Sequence, residues 1–252
     1  MTSTHGTVST EAASTPKAAF TSTHWSVIVT AGDAQAPAAR DALERLCRTY
    51  WFPLYAYVRR SGYSHEEAQD LTQAFFAHLL QGNRIGRADP QKGRFRCFLL
   101  AALKHFLADH WDRVKARKRG GATCFVPWDP RLAESRYLSE PQEPLTPEEI
   151  YEHNWAKALL EVVFERLRQE YTAEGKEELF GRLKGCLTEA RAAVPYAELS
   201  RVLEVSEAGV RMAVHRLRLR YRDVLRMELA QCVADAGEVE EELRYLYRVL
   251  AG

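Results

Sequence analysis

The sequence has little net charge, few cysteines and no long apolar run, and each absence excludes a class of protein. Its 252 residues carry a formal charge of only +1, which argues against a uniformly basic nucleic-acid coat protein. The 5 cysteines are scattered and never form a CxxC spacing, which indicates reduced thiols in a cytosolic compartment. The longest apolar run, residues 97–103, is too short to span a membrane, and no signal for secretion opens the chain. We therefore expect a cytoplasmic protein without a membrane partner.

The sequence also lacks the motifs of common enzymes. We find no paired carboxylates with metal-ligand spacing, no HxE…CxxC set, no Gly-rich phosphate loop and no GxSxG. Several histidines are isolated in the sequence: His24, His65, His78, His110 and His153. We therefore expect no catalytic residues, no bound metal and no cofactor. No segment alternates convincingly at period two, which predicts an all-α fold.

What the sequence does have is charge and composition that change along the chain. Basic runs at 104–119 and 211–226 alternate with acidic stretches at 129–152 and 235–242. Residues 120–147 hold five prolines, which marks the best domain boundary. The predicted segments are a disordered tail (1–22), a first helical domain (23–119), a linker (120–147), a second helical domain (148–226) and a C-terminal helical extension (227–252).

Local signals predict where several helices begin. Ser64 followed by Glu67 has the spacing of a capping box, and Thr146 before Pro147 is a good N-cap. Pro53 is expected to kink or divide the helix predicted over residues 38–58. Helical patterns continue over 148–171, 175–187 and 196–226.

Residues 95–119 predict an amphipathic helix with a basic face. Its apolar residues share one broad side: Phe95, Phe98, Leu99, Ala102, Leu103, Phe106, Leu107, Trp111 and Val114. Polar and mostly cationic residues lean toward the other side: Lys104, His105, Asp109, Arg113, Lys115 and Arg117. Such a helix needs a protein core behind it, and its cations could release counterions from a polyanion in front. The alternative is an ordinary helix with a solvated basic face.

Residues 196–221 have the spacing of a helix-turn-helix. Leu199, Val202 and Leu203 predict a short first helix, after which Val205 is expected to fill the turn and Ser206 to cap the second helix. Glu204 stands in the turn, where glycine is common. The second helix has an inward stripe of Val210, Val214 and Leu217, and these outward positions: Glu207, Ala208, Arg211, Met212, His215, Arg216 and Arg218. A recognition helix of this kind lies in the major groove, and an arginine-rich surface hairpin is the alternative.

Three segments carry motifs that are weak singly and specific in their order. They are DLTQAFF at 70–76, DPQKGRFR at 89–96 with the helix that follows, and the helix-turn-helix at 196–218. The proline-rich segment separates the second from the third. Together they resemble the extracytoplasmic-function (ECF) group of sigma-70-type RNA polymerase initiation factors, over roughly residues 38–226.

The resemblance implies a partner for each motif. The 70–76 helix would bind the clamp helices of the polymerase largest subunit through Asp70, Gln73 and Phe76. The 82–94 loop would hold a flipped base, and the residues assigned to the minus-10 element are Asn83, Arg94, Lys104, His105, Asp109, Arg113 and Arg117. The recognition helix would contact the minus-35 duplex through Glu207, Arg211, Met212, His215, Arg216 and Arg218.

The resemblance therefore implies an all-α protein with a sigma-2-like helical bundle and a sigma-4-like helix-turn-helix domain. We expect a bacterial initiation factor, not an enzyme, that binds core RNA polymerase and promoter DNA and nucleates promoter melting. An anti-sigma factor or another regulator is a further candidate partner. Two alternatives stay open: a helix-turn-helix regulator that acts without joining RNA polymerase, and an enzyme that acts on nucleic acid, against which the missing motifs argue.

Residues 238–250 predict an amphipathic helix beyond the resemblance. Its apolar stripe is Val239, Leu243, Leu246 and Leu250, and its first turn is crowded by Glu238, Glu240, Glu241 and Glu242, where the helix dipole favours negative charge. The plainer expectation is that this helix packs on the second domain or on the 172–194 segment as structure. The sharper hypothesis is that its acids lie near the 211–226 face and compete with DNA phosphates.

Overall fold

The computed structural model describes residues 37–80, 93–116, 130–139, 144–187, 195–233 and 235–251. Within these ranges the chain forms nine α-helices and no strand, which confirms the all-α prediction. In chain order the helices are α1 (Pro37–Arg60), α2 (His65–Leu80), α3 (Phe95–Ala116), α4 (Pro130–Ser139), α5 (Pro147–Ala173), α6 (Glu177–Leu183), α7 (Tyr196–Val202), α8 (Glu207–Ala230) and α9 (Val239–Ala251). A 3₁₀ helix, Lys184–Leu187, extends α6.

Two predicted helix starts are confirmed by their capping bonds. The Glu67 backbone N–H donates to Ser64 Oγ at 3.2 Å, and the Ser64 N–H donates to the Glu67 carboxylate at 2.9 Å. Thr146 and Glu149 make the same reciprocal pair at the start of α5. Each pair satisfies backbone donors that a helix start would otherwise leave without partners.

Helix α1 is buried almost throughout its second half. Tyr50, Leu54, Tyr55 and Val58 are fully enclosed, because α5 covers one side of α1 while α2 and α4 cover others. A helix that is apolar all round is expected at the centre of a fold. Pro53 lies inside α1, and the helix continues past it to Arg60, so the expected division into two helices does not occur.

Helix α5 links α1 with the later helices of the chain. It packs against α1 on one side and against α6, α8 and α9 on others. Its large buried side chains recur at helical spacing: Tyr151, Trp155, Leu159, Val163 and Leu167. One continuous core therefore runs from α1 to α9 through the described residues. The division into two domains stays a prediction.

The segment predicted as a linker contains a docked helix. Ala133 of α4 is buried, and Glu134 accepts bonds from Arg59 at 2.8 and 3.1 Å and a short bond from the Tyr55 hydroxyl. These partners lie more than 70 positions earlier in the chain, since Arg59 and Glu134 are 75 positions apart. Local periodicity cannot reveal a helix that tertiary contacts select in this way.

Helix α3 packs on α2 and has the apolar face that its spacing predicts. Phe95, Leu99 and Leu103 are fully buried, and Phe106 lies 5.7 Å from Phe75 between ring centroids. The side chains of Trp111 and Val114 lie outside the described part of the structure. No helix in the described ranges is long and apolar enough to cross a membrane.

Candidate nucleic-acid interface

The turn between α7 and α8 is held by local hydrogen bonds. Ser206 caps α8 as predicted, since its side chain accepts from the Gly209 N–H at 3.2 Å. Ser200 Oγ donates to the Val205 carbonyl at 2.6 Å and closes the turn from the other side. Glu204 adopts a φ of 52°, the left-handed region that favours glycine. Val205 lies against Gly209 in the turn, as expected, but it is 47% exposed and so only partly fills it.

Helix α8 has a buried face and an exposed face at the positions that its spacing predicts. Val210, Val214 and Leu217 are buried and pack α8 into the core with Leu199 of α7. Predicted minus-35 contacts are exposed at the N-terminal half of α8: Glu207, Arg211, Met212, His215 and Arg216. The structure therefore brings these five residues to one side of a helix that the Ser206 cap fixes at its start.

A basic cleft of about 240 Å³ lies along this helix. Its lining residues are Tyr196, Arg211, Val214, His215, Arg218 and Arg222. The Arg211 guanidinium lies 4.4 Å from the centre of the Tyr196 ring, a cation–π contact between two residues of the cleft lining. Three guanidinium groups beside one histidine form a favourable place for a phosphate group.

Tyr196 is a cleft residue that the sequence analysis did not assign, whereas Arg222 belongs to the basic run at 211–226. Arg222 follows Arg211 by three helical turns, so both lie on the same cationic stripe of α8. Tyr196 carries no such signal, because its place depends on how α7 crosses α8. Arg218 also lines the cleft, yet its guanidinium donates to the Cys186 carbonyl at 2.6 and 3.1 Å. Part of its predicted DNA-binding capacity is therefore used to anchor the end of the 3₁₀ helix.

Helix α2 exposes only some of the three residues predicted to bind polymerase. Asp70 is exposed and Gln73 is half-buried, and their spacing places them one turn apart. Phe76 is 2% exposed and lies 6.1 Å from Phe75 between ring centroids, inside the core. The assignment of Phe76 as a surface contact is therefore corrected: it holds α2 in place from behind.

The outward side of α3 carries the predicted minus-10 residues that the structure describes. Lys104, His105 and Asp109 are exposed. Lys104 Nζ lies 2.6 Å from the Glu148 carboxylate at the start of α5. This hydrogen bond raises the pKa of Lys104 and lowers the pKa of Glu148, so both groups stay charged near neutrality. Asn83, Arg117 and the side chain of Arg113 lie outside the described residues.

Arg94, which directly precedes α3, pairs with acidic residues of α9. Its Nε lies 2.5 Å from Glu242 and its Nη2 lies 3.5 Å from Glu241, both on α9. Arg96, which the sequence analysis did not assign, is buried beside it and also pairs with Glu242. The assignment of Arg94 to DNA stays a prediction, and in this conformation carboxylates of α9 occupy its guanidinium.

The acids of α9 thus reach a different target from the one expected. Glu240 does pair with Arg226 at 2.8 Å, within the predicted 211–226 face. Glu241 and Glu242 instead contact the start of α3. The apolar stripe of α9 packs on α5 and α8, which agrees with the expectation that it docks on the second helical half.

The described residues hold no group of three or more His, Cys, Asp or Glu side chains that could bind a metal ion. What the described surface offers is arginine and histidine beside a cleft on α8, and a polar side of α3. No family model, no curated protein and no solved structure matches the chain.

Proposed function

We propose that the protein is an initiation factor for bacterial RNA polymerase, of the ECF type that its motifs resemble. In this proposal α8 recognises the minus-35 duplex, the outward side of α3 contacts the minus-10 strand, and α2 docks on core polymerase. The protein would nucleate strand separation without performing a chemical step.

The observation that carries the proposal is the outward face of α8. Arg211, Met212 and His215 project from the first half of a helix whose other side is buried, as a helix must to enter a major groove. A bidentate contact from arginine to guanine contributes roughly 1–3 kcal/mol of discrimination between bases. The neighbouring cleft supplies cations for phosphate, which position a helix without reading sequence.

The exposed sides of α2 and α3 support the same proposal. Asp70 and Gln73 form a small polar face on α2 that suits a protein partner, while Phe76 keeps the helix rigid. Lys104 and His105 are exposed on α3, the helix that follows the 82–94 segment in the sequence. A helix-turn-helix alone would need neither of these surfaces.

A regulator that binds DNA without polymerase is the second candidate. One observation favours it: the outward face of α8 is exposed in the same conformation in which Arg94 is covered by α9. Binding through α8 therefore requires no rearrangement of the rest of the chain.

Transcription with purified core polymerase distinguishes the two candidates. We expect the protein to direct promoter-specific transcripts from a library of promoter sequences, and to be retained on immobilised core polymerase. Asp70→Ala combined with Gln73→Ala should weaken retention without changing the melting temperature, while Glu66→Ala, also exposed on α2, serves as the matched control. Sequence-specific DNA binding without any retention or transcript would contradict the initiation factor and support the regulator.

A further inference from the structure

The C-terminal helix α9 inserts a carboxylate between two arginines of the opposite half of the protein. Glu242 is 0% exposed, and it pairs with Arg96, itself 3% exposed. The same carboxylate lies 2.5 Å from Arg94 Nε. Arg96 also donates to the Glu152 carboxylate of α5 at 2.9 Å. One buried ion cluster thus joins α3, α5 and α9.

Aromatic rings enclose the Arg96 guanidinium at the centre of this cluster. The Arg96 guanidinium lies 4.6 Å from the Trp155 ring centre and 4.2 Å from the Tyr245 ring centre, so the charge is held between α5 and α9. Buried ion pairs add little net stability compared with apolar packing, but they do fix one arrangement against others. Such a cluster is suited to a contact that must be either fully made or fully broken.

The rest of the α9 contact is modest. Val239, Leu243 and Leu246 are buried against α5 and α8, and the exposed pair between Glu240 and Arg226 closes the edge. Tyr247 on the outer side is 53% exposed. Helices as short as α9 are marginal on their own in water, and terminal elements open more readily than cores. Among the helices of this core, we therefore expect α9 to open before α5 or α8.

The proposed function requires a rearrangement that this contact opposes. Minus-35 and minus-10 elements lie about 25 base pairs apart, which is about 85 Å along B-form DNA. A single body of this size is only about 40 Å across, from the usual scaling of radius with chain length. If α3 and α8 contact these two elements, as proposed, one body of this size would not span them on straight DNA, and the contact from α9 to α3 would have to break.

We propose that α9 is an autoinhibitory latch: Glu241 and Glu242 occupy Arg94 and Arg96 in the closed conformation, and α9 leaves when the protein engages polymerase and promoter DNA. The consequence for transcription rests on the proposed function, whereas the latch itself is a property of the free chain. In the released state Arg94 exchanges a carboxylate for a DNA phosphate, so the two anions compete for one cation.

Hydrogen exchange on the free protein tests the latch without polymerase. Glu242→Gln keeps the shape of the side chain and removes its charge, while Glu240→Gln makes the same change two residues earlier, at an exposed pair. We expect amides of residues 243–250 to exchange at least tenfold faster in Glu242→Gln, with those of α5 unchanged, and no comparable change in the control. Equal exchange in the two variants, or faster exchange spread over α5 and α8, would show that α9 is only a part of the core.

The consequence for transcription is tested on the unaltered chain, on Glu242→Gln and on Glu238→Gln, the same exchange at an exposed acid before α9. On adding core polymerase and promoter DNA, residues 239–251 of the unaltered protein should lose protection, and Glu242→Gln should bind promoter DNA at least fivefold more tightly than Glu238→Gln at low salt. Protection that persists in an active complex would overturn the latch and leave the initiation factor standing. Loss of latch protection in a protein that never binds polymerase would instead support the latch and reject the initiation factor.

Discussion

The two arginine-rich surfaces of this protein use the same side chain in opposite ways. On α8, Arg211 and Arg216 are exposed, and Arg211 contacts the Tyr196 ring and the exposed Glu207 carboxylate at 3.4 Å. At the start of α3, Arg94 and Arg96 are packed against carboxylates of α9, and Arg96 is buried. An exposed cation exchanges its counterions for phosphate with little reorganisation, whereas a buried cation must first lose its partner. The position of the carboxylates, rather than the number of arginines, decides which of the two surfaces is open to an added anion.

The largest expected effect comes from removing a buried arginine. Arg96→Ala leaves the Glu242 carboxylate buried with one partner fewer and removes the ring contacts to Trp155 and Tyr245. We expect a loss of about 3–5 kcal/mol in the free energy of unfolding, measured by urea denaturation. Arg216→Ala, on the exposed face of α8, should change stability by no more than about 0.5 kcal/mol. Equal losses of stability in the two variants would show that the buried and exposed arginines contribute alike to the free energy of unfolding.

The next effect should appear in DNA recognition, with stability unchanged. Arg211→Ala should relax the base preference at one or two positions by roughly 1–3 kcal/mol, because arginine reads guanine edges. Arg222→Ala should weaken all sequences about equally and reduce the salt slope by about one, as expected for a phosphate contact. A promoter-library binding assay across a salt series measures both quantities. If both variants shift all sequences alike, Arg211 contacts phosphate and not a base.

A carboxylate that bridges α1 and α4 predicts a pH dependence. Burial alone would raise the pKa of Glu134, but hydrogen bonds from Arg59 and Tyr55 outweigh it and hold the pKa below its ordinary value of 4.5. Since the folded-state pKa is lowered, the stabilisation is fully present above 4.5 and is lost as the pH falls through the folded-state pKa. Glu134→Gln should cost roughly 1–2 kcal/mol at neutral pH, as for the loss of charged hydrogen bonds.

The pH profile separates this bridge from a mere packing contact. Glu134→Gln should unfold with a flatter dependence on pH below 4.5 than the unaltered protein, in urea titrations repeated across that range. Glu148→Gln is the control, because its pair with Lys104 is nearly half-exposed on both sides and is screened by solvent. An unchanged acid slope in Glu134→Gln would show that the bridge does not contribute as a charge.

Sequence patterns predicted the parts of this structure that depend on neighbouring residues. The caps at Ser64, Thr146 and Ser206, and the inward and outward faces of α8, all follow from spacings of three or four residues. The polymerase and promoter assignments stay predictions, since they rest on resemblance. The pairing of Arg96 with Glu242 could not be predicted, because the two lie 146 positions apart and either could have faced water.

Burial was also hard to infer where a motif assigned a role. The DLTQAFF motif marks Phe76 as a contact, yet the fold uses both adjacent phenylalanines in its core. Asp70 and Gln73 keep the outward positions that helical spacing gives them. In this motif the polar residues mark the exposed surface, whereas the apolar residues are buried in the core.

The smallest expected effect concerns the turn that leads into α8, and it is a gain. Glu204 has a φ of 52°, a conformation that is unfavourable for residues with a Cβ and that glycine adopts readily. Glu204→Gly should therefore stabilise the protein by about 0.5–1 kcal/mol, after the greater chain entropy of glycine in the unfolded state is subtracted. Glu198→Gly, the same exchange at an exposed position inside α7, should destabilise it by about 1 kcal/mol, because glycine is unfavourable within a helix. Urea denaturation of the two variants measures this difference in sign, and DNA binding should stay unchanged in Glu204→Gly because the turn lies before the outward face of α8. A loss of stability in Glu204→Gly would mean that the glutamate side chain makes a contact worth more than the backbone strain it causes.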